Sequence, residues 1–188
     1  ASSDVVADIG CGIGGPARRL ARTVGCAVVG VDVLPSLVAL ARDRAEAEAP
    51  MPGATRTSFV AGSAERLPLA SARFDQAWAL GVAAHVDVEM LAGEAVRILR
   101  PGGALCLSEV FWDGRRPPRF AERAPAPWRA LRRSEVVRAL EGAGFVDVGS
   151  LPWPGRAFQR DGDVADPFLR ADLLDGRLRS GLIVARRP

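Results

Sequence analysis

The sequence predicts an α/β fold: a three-layer sandwich around a seven-stranded, mostly parallel sheet whose last strand runs antiparallel. Three observations point to it. Short apolar runs alternate with stretches of helical spacing, the pattern of a parallel sheet covered on both faces. Gly- and Pro-rich breaks separate them. A closing apolar run at 181–185 follows a long polar connection, which brings in a final strand from the opposite direction.

The elements follow in order. Strands are expected at 5–9, 27–31, 57–61, 76–80, 104–110, 145–148 and 181–185, in the order 3-2-1-4-5-7-6. A first helix opens near Pro16, with Ala17, Leu20, Ala21 and Val24 on one face, and ends at Gly25. A second opens at Pro35, turns Leu37, Leu40 and Ala41 inward, and ends before Pro50. Val88, Leu91, Ala92, Ala95, Ile98 and Leu99 form the apolar face of a third, which stops at the turn Arg100-Pro101-Gly102-Gly103. Residues 111–133 read as loop. Ser134 caps a helix through Leu140.

Composition narrows the function. The 188 residues suffice for one domain, 1–188, with a full core, and 48% hydrophobic against 25% charged is ordinary for a globular chain. No apolar run reaches the roughly 18 residues of a membrane span, and no basic, apolar leader is read. With Cys11, Cys26 and Cys106 unpaired by spacing and His85 the sole histidine, no metal site and no disulfide framework are expected; a reducing cytoplasm is. The charge is uneven: 8 Arg and 11 acids in 1–94, 17 Arg and 11 acids in 95–188. Seven Arg lie between 115 and 133, read as a solvated loop, and nucleic acid is not the expected partner.

The chemistry concentrates in Asp8-Ile9-Gly10-Cys11-Gly12-Ile13-Gly14-Gly15, between a strand and a helix. Glycines there permit a sharp turn and close approach of backbone to a ligand. Gly10, Gly12 and Gly15 satisfy a dinucleotide fingerprint; Asp8, Gly10, Gly12 and Gly14 satisfy a methyltransferase loop. Asp32, about 20 residues on, suits ribose hydroxyls in either case. Both make the fold Rossmann-like. Asp8 favours a ligand carrying an amino group, because pyrophosphate beside it would be repelled. Oxidoreductases of the Tyr-x-x-x-Lys type are excluded, since neither Tyr nor Lys occurs.

With those residues in place, the chain resembles the class I S-adenosylmethionine-dependent methyltransferases of small molecules. DIGCGIGGPARRLA is especially similar to sterol and tocopherol methyltransferases and bacterial relatives. GVDVLPSLVALARDRA, FVAGSAERLPLASARFDQAWALGVAAHV, EAVRILRPGGALCLSEV and RSEVVRALEGAGFVDV extend the resemblance over almost the whole chain. It implies S-adenosylmethionine as cofactor. Asp8 and the backbone of Gly10 and Gly12 would hold the methionine moiety, with Cys11 and Gly14 of the same loop also cofactor-binding. Asp32 would bind the ribose and Val33 pack on adenine. The Ala64 amide would reach the adenine ring, with Ser63 where the family usually has Asp. Leu80 and Gly81 would line the methionine side. Family members usually carry helices before the first strand; this chain opens close to that strand, so a site without covering helices is expected.

Methyl transfer from a sulfonium gains mostly from alignment and exclusion of water, with a base needed only when the acceptor loses a proton. His85, just past strand four, is the candidate base; Glu109 and Asp113 are lesser ones. Trp112 and Trp128 are candidate walls of an apolar pocket. The only Pro-Pro, Pro117-Pro118, is flanked by Arg, so the nucleic-acid amino-methylation motif is missing, and a small organic acceptor is expected. Two competing readings stand: a nicotinamide-dependent oxidoreductase, and a truncated or degenerate methyltransferase fold that binds cofactor or a partner without turnover.

Overall fold

The computed structural model describes residues 1–48, 57–112, 114–124, 126–152, 173, 175 and 178–188. The strands are β1 Val5–Ile9, β2 Ala27–Asp32, β3 Thr57–Ala61, β4 Phe74–Leu80, β5 Leu99–Trp112, β6 Val146–Pro152 and β7 Leu178–Arg186. The helices are α1 Gly15–Val24, α2 Pro35–Ala47, α3 Val88–Ile98 and α4 Arg133–Gly142. All seven strands form one sheet in the order β3-β2-β1-β4-β5-β7-β6, as expected. β1 to β5 pair in parallel, and β7 runs antiparallel between β5 and β6.

Two apolar layers hold the sandwich together. On one face Val6, Val28 and Phe59 meet Ala17 and Ala21 of α1 and Val38 and Ala41 of α2. On the other Ala7, Ile9, Ala77, Ala79, Leu105 and Leu107 meet Leu91, Ala95 and Ile98 of α3 and Val136 and Leu140 of α4. The strand period of two sends Val6 one way and Ala7 the other, so each strand feeds both layers. The small residues in α1 and α2 let those helices lie close to the sheet.

Helical spacing identified these helices, but not every inward residue. Val24 and Leu40 are exposed; α2 buries Ala41 as expected, and Val38 with it. α4 begins one residue before Ser134, and its first turn is closed by Arg132 N donating to Glu135 Oε2 at 2.6 Å. Arg100–Gly103 does not end a helix by a free turn. It is an excursion within β5, because Leu99 pairs with Phe74 and Ala104 with Gln76. Gly102 takes φ +79° there, and its amide bonds Arg187 O at 2.9 Å. The expected loop at 111–133 is partly ordered: β5 runs on to Trp112, and Arg119–Glu122 is a 3-10 turn. β6 and β7 both extend beyond their expected ends.

Candidate active site

The site grows from the carboxyl ends of β1 to β4, where open α/β sheets bind ligands. Gly10, Asp32, Gly62 and Gly81 each end or directly follow one of these strands. The Gly10 and Cys11 amides both donate to Val31 O, at 2.7 and 3.0 Å, which ties the β1 loop to β2. Gly10, Gly12 and Gly14 take φ +71°, +53° and +71°, a region costly for any residue with a Cβ. At Gly10 there is no room either: a Cβ would lie 2.1 Å from Val82 Cγ2. At Gly12 a Cβ would meet nothing within 4 Å, so that turn faces open space.

Asp32 is held ready. Its Oδ2 accepts the Gly12 amide at 2.8 Å and its Oδ1 the Leu34 amide at 3.0 Å. Each carboxylate oxygen keeps a further lone pair for a ligand hydroxyl. Asp8, inside β1, is 2% exposed, and its Oδ2 has no hydrogen-bond partner among the described residues. Burial first, and the Asp32 charge second, push the Asp8 carboxyl up to about 7, against some relief from the Ala17 amide. A buried carboxylate oxygen without a donor is costly unless something cationic or protic completes it.

The β3 loop is clamped by α3. Arg97 donates to Leu69 O at 2.7 Å and to Leu67 O at 3.0 Å, while the Leu67 amide donates to Glu94 Oε2 at 2.6 Å. Ser63 Oγ accepts the Glu65 amide at 3.1 Å, so its hydroxyl shapes the loop. Beyond β4, Ala83–His85 forms a 3-10 turn. Ala84 sits at its centre: its amide donates to Glu109 Oε2 at 3.1 Å and its carbonyl accepts the Arg129 amide at 2.7 Å. His85 is exposed at the end of this turn, and the buried part of its ring pushes its pKa below the ordinary 6.5.

These parts enclose a cleft of about 1070 Å³. Its walls come from the four strand ends, from Val33, Leu34 and Leu37, from the 81–87 segment, and from Ala126, Pro127 and Arg129. The volume reaches the upper end of ordinary small-molecule sites, enough for two ligands side by side. Val33 and Leu34 are 65% and 52% exposed, an apolar rim on a polar floor.

Residues 7–107, more than half of the chain, match the profile of a family described as "Methyltransferase domain". The chain belongs to that family. It is 39% identical over 110 residues to Methyltransferase GfsG of Streptomyces halstedii, covering 58% of this chain and 38% of that protein. It is 37% identical over 152 residues to 27-O-demethylrifamycin SV methyltransferase of Amycolatopsis mediterranei, covering 80% of this chain and 50% of that one. The chain thus spans half or less of the length of these relatives. Among solved structures, geranyl diphosphate C-methyltransferase of Streptomyces coelicolor superposes with a TM-score of 0.84 at 20% identity, over all of this chain and 75% of that one. The [4+2]-cyclase SpnF superposes with a TM-score of 0.76 at 24% identity, over 99% of this chain and 75% of that one. The fold therefore carries more than one reaction, and the site has to decide between them.

In this methyltransferase-family domain, seven of the sequence-expected site residues line the cleft: Gly10, Asp32, Val33, Ser63, Ala64, Gly81 and His85. Asp8, Cys11, Gly12, Gly14 and Leu80 do not. Cys11 turns its side chain into the α1–α2 layer, where burial pushes the thiol up to about 12, and its Sγ donates to Gly12 O at 3.7 Å. Gly14 caps α1 and packs under the Phe59 ring. Glu109 is no free base, since it is 8% exposed and both of its oxygens accept backbone amides. Asp113 lies outside the described residues. Neither Trp112 nor Trp128 is among the residues lining the cleft. Trp112 donates to Arg116 O and carries Arg132 over its ring, and Trp128 stacks edge-on against Phe120. Several of the expected solvated arginines are engaged: Arg133 lies over Phe111 and Arg119 pairs with Asp175. Sequence reasoning missed Leu34, Leu37, Gly62, Val82 and Arg129. Only Leu34 and Leu37 left a signal, as apolar residues directly after Asp32.

Proposed function

We propose that this domain binds S-adenosylmethionine across the β1–β2 edge and transfers its methyl group to a small organic acceptor held over the 81–87 segment. One observation carries the reading: Asp8, two residues before the glycine loop, is buried with its Oδ2 unpartnered among the described residues, and the Gly12 amide of that loop orients Asp32. That pair suits a ligand with an ammonium at one end and a ribose at the other. Asp8 opposes a pyrophosphate, whose charge it would repel, while Asp32 suits a ribose in either case. The cofactor, when bound, supplies an electrophilic methyl on a sulfonium.

The chain's own residues do the rest. Asp32 accepts the ribose hydroxyls, already oriented by Gly12 and Leu34. Val33 and Leu34 cover an adenine face, and Ala64 closes the adenine end. Asp8 balances the ammonium through or beneath the loop. His85, neutral at pH 7 because its pKa is lowered, takes a proton from the acceptor or orients it. The 126–129 segment and Val86 exclude water from the acceptor half. Among the described residues no helix is long and apolar enough to cross a membrane.

Calorimetry decides it. The chain is expected to bind S-adenosylhomocysteine and not NAD. Binding of NAD, or of neither ligand, would sink the proposal.

A further inference from the structure

Glu109 lies on β5 with its carboxylate turned under the segment that follows β4. Its Oε2 accepts the Ala84 amide at 3.1 Å and its Oε1 accepts the Val110 amide at 2.8 Å; burial pushes its pKa up, against relief from the Val110, Ala84 and Ala83 amides. Ala84 in turn accepts the Arg129 amide on its carbonyl at 2.7 Å. Hydrogen bonds on the two sides of one residue, Ala84, therefore link β5 to the 126–129 wall of the cleft. The neighbouring contacts reinforce it. The Gly81 amide bonds Ser108 O at 2.9 Å, and the Trp112 amide bonds Leu131 O at 2.8 Å. His85 is the last residue of the turn so held.

We propose that Glu109 is a positioning residue: by gripping the Ala83 and Ala84 amides it fixes the 83–85 turn, and with it His85 and Arg129, in the acceptor half of the cleft. This rests on the reading that the 81–87 segment faces the acceptor. The physical case is one of cost. A carboxylate 8% exposed is expensive, and a turn of three residues needs no charge to form. A carboxylate is the one side chain that accepts from several amides at once without donating in return. A buried apolar residue at 109 would fill the space but leave the Ala84 amide without a partner. The charged groups sharing the cleft near His85 are Glu65, Asp87 and Arg129. The Glu65 and Asp87 carboxylates are themselves engaged, by the amides of Asp87 and Met90.

His85 is the sole histidine, so its ring gives one assignable imidazole signal in a proton NMR spectrum. Glu109→Gln keeps the length of the side chain but turns an NH2 toward one of the amides. In that variant the His85 titration midpoint is expected to move up toward its ordinary 6.5, because the turn loosens and the ring gains water. S-adenosylhomocysteine affinity is expected to stay within about twofold, since Asp32 and the glycine loop are untouched. A folded Glu109→Gln chain with an unmoved His85 midpoint overturns the proposal. So does a variant whose S-adenosylhomocysteine affinity falls by tenfold or more, which would make Glu109 a support of the whole site. Should the variant fail to fold, amide exchange in the unaltered chain decides: a protected Ala84 amide supports the grip, and free-peptide exchange there overturns it. A chain that binds no S-adenosylhomocysteine at all would defeat the methyltransferase reading while leaving the His85 comparison readable.

Discussion

The Gly12 amide donates to Asp32 Oδ2 at 2.8 Å, which locks the loop after β1 to the last residue of β2. The Leu34 amide holds the other oxygen at 3.0 Å. Asp32 is thus oriented before any ligand arrives, and its ordering cost is met during folding. Asp32→Ala removes the proposed ribose contacts and leaves the Gly12 amide without its partner. Charge-assisted hydrogen bonds are worth about 1.5–3 kcal/mol, so S-adenosylhomocysteine affinity is expected to fall roughly ten- to hundredfold by calorimetry. Unchanged affinity would remove Asp32 from the site.

Gly10 and Gly12 share a left-handed backbone but not the same surroundings. Gly12→Ala carries only the conformational cost of its φ, about 1 kcal/mol. Gly10→Ala adds a collision with Val82 Cγ2, 2.1 Å from the new Cβ. It is expected to lose about 1–3 kcal/mol more in denaturant unfolding, of the order seen for overpacking. Adding Val82→Ala to Gly10→Ala should recover part of that loss, because the clashing methyl is gone. No recovery would mean that the backbone strain alone sets the cost.

Asp8 makes stability depend on pH with an unusual sign. Its folded pKa is raised to about 7 from 3.8, by burial and then by the Asp32 charge. Below the unfolded value both states are protonated and the burial cost is absent. As pH rises from the unfolded value to the folded one, the unfolded chain ionises while the buried carboxyl stays protonated, and stability is lost by up to about 4 kcal/mol, complete once the folded value is passed. Asp8→Asn should abolish this slope, so its stability gain over the unaltered chain should grow from pH 4 to pH 8. A constant difference across that range would contradict the assignment.

The same proton should be released on binding. A ligand ammonium favours the Asp8 carboxylate, so S-adenosylhomocysteine affinity is expected to weaken as pH falls below about 7. Calorimetry near pH 6.5 in two buffers of different ionisation enthalpy measures the proton directly. Equal heats in both buffers would place Asp8 outside the linkage.

His85→Gln keeps hydrogen bonding and removes titration. With an acceptor that must lose a proton, the rate is expected to fall by about 10²–10⁴ and its acid limb to flatten. In the unaltered enzyme that limb lies below pH 6.5, since desolvation lowers the His85 pKa. Near-full turnover with the acid limb intact would make His85 a structural part of its turn.

The sequence by itself determined the strand–helix alternation, the sheet order and the positions of Gly10, Gly12, Gly14 and Asp32. Apart from the sheet order, which followed from the succession of elements, these are local properties: a period of two or 3.6, a φ that only glycine adopts freely, an acid about 20 residues beyond the loop at the end of the next strand. Tertiary structure decided the rest. It turned Val38 inward and Leu40 out, because the sheet's twist selects which part of an amphipathic stripe meets β3. It made Glu109 a grip on Ala84 and brought Arg129 to the same turn, although 25 residues separate the first pair. Spacing along a chain carries no record of such contacts, since a parallel sheet pairs segments whose separation is set by the crossover between them. The part of the cleft where the 81–87 segment meets Ala126, Pro127 and Arg129 therefore became legible only once the chain was folded.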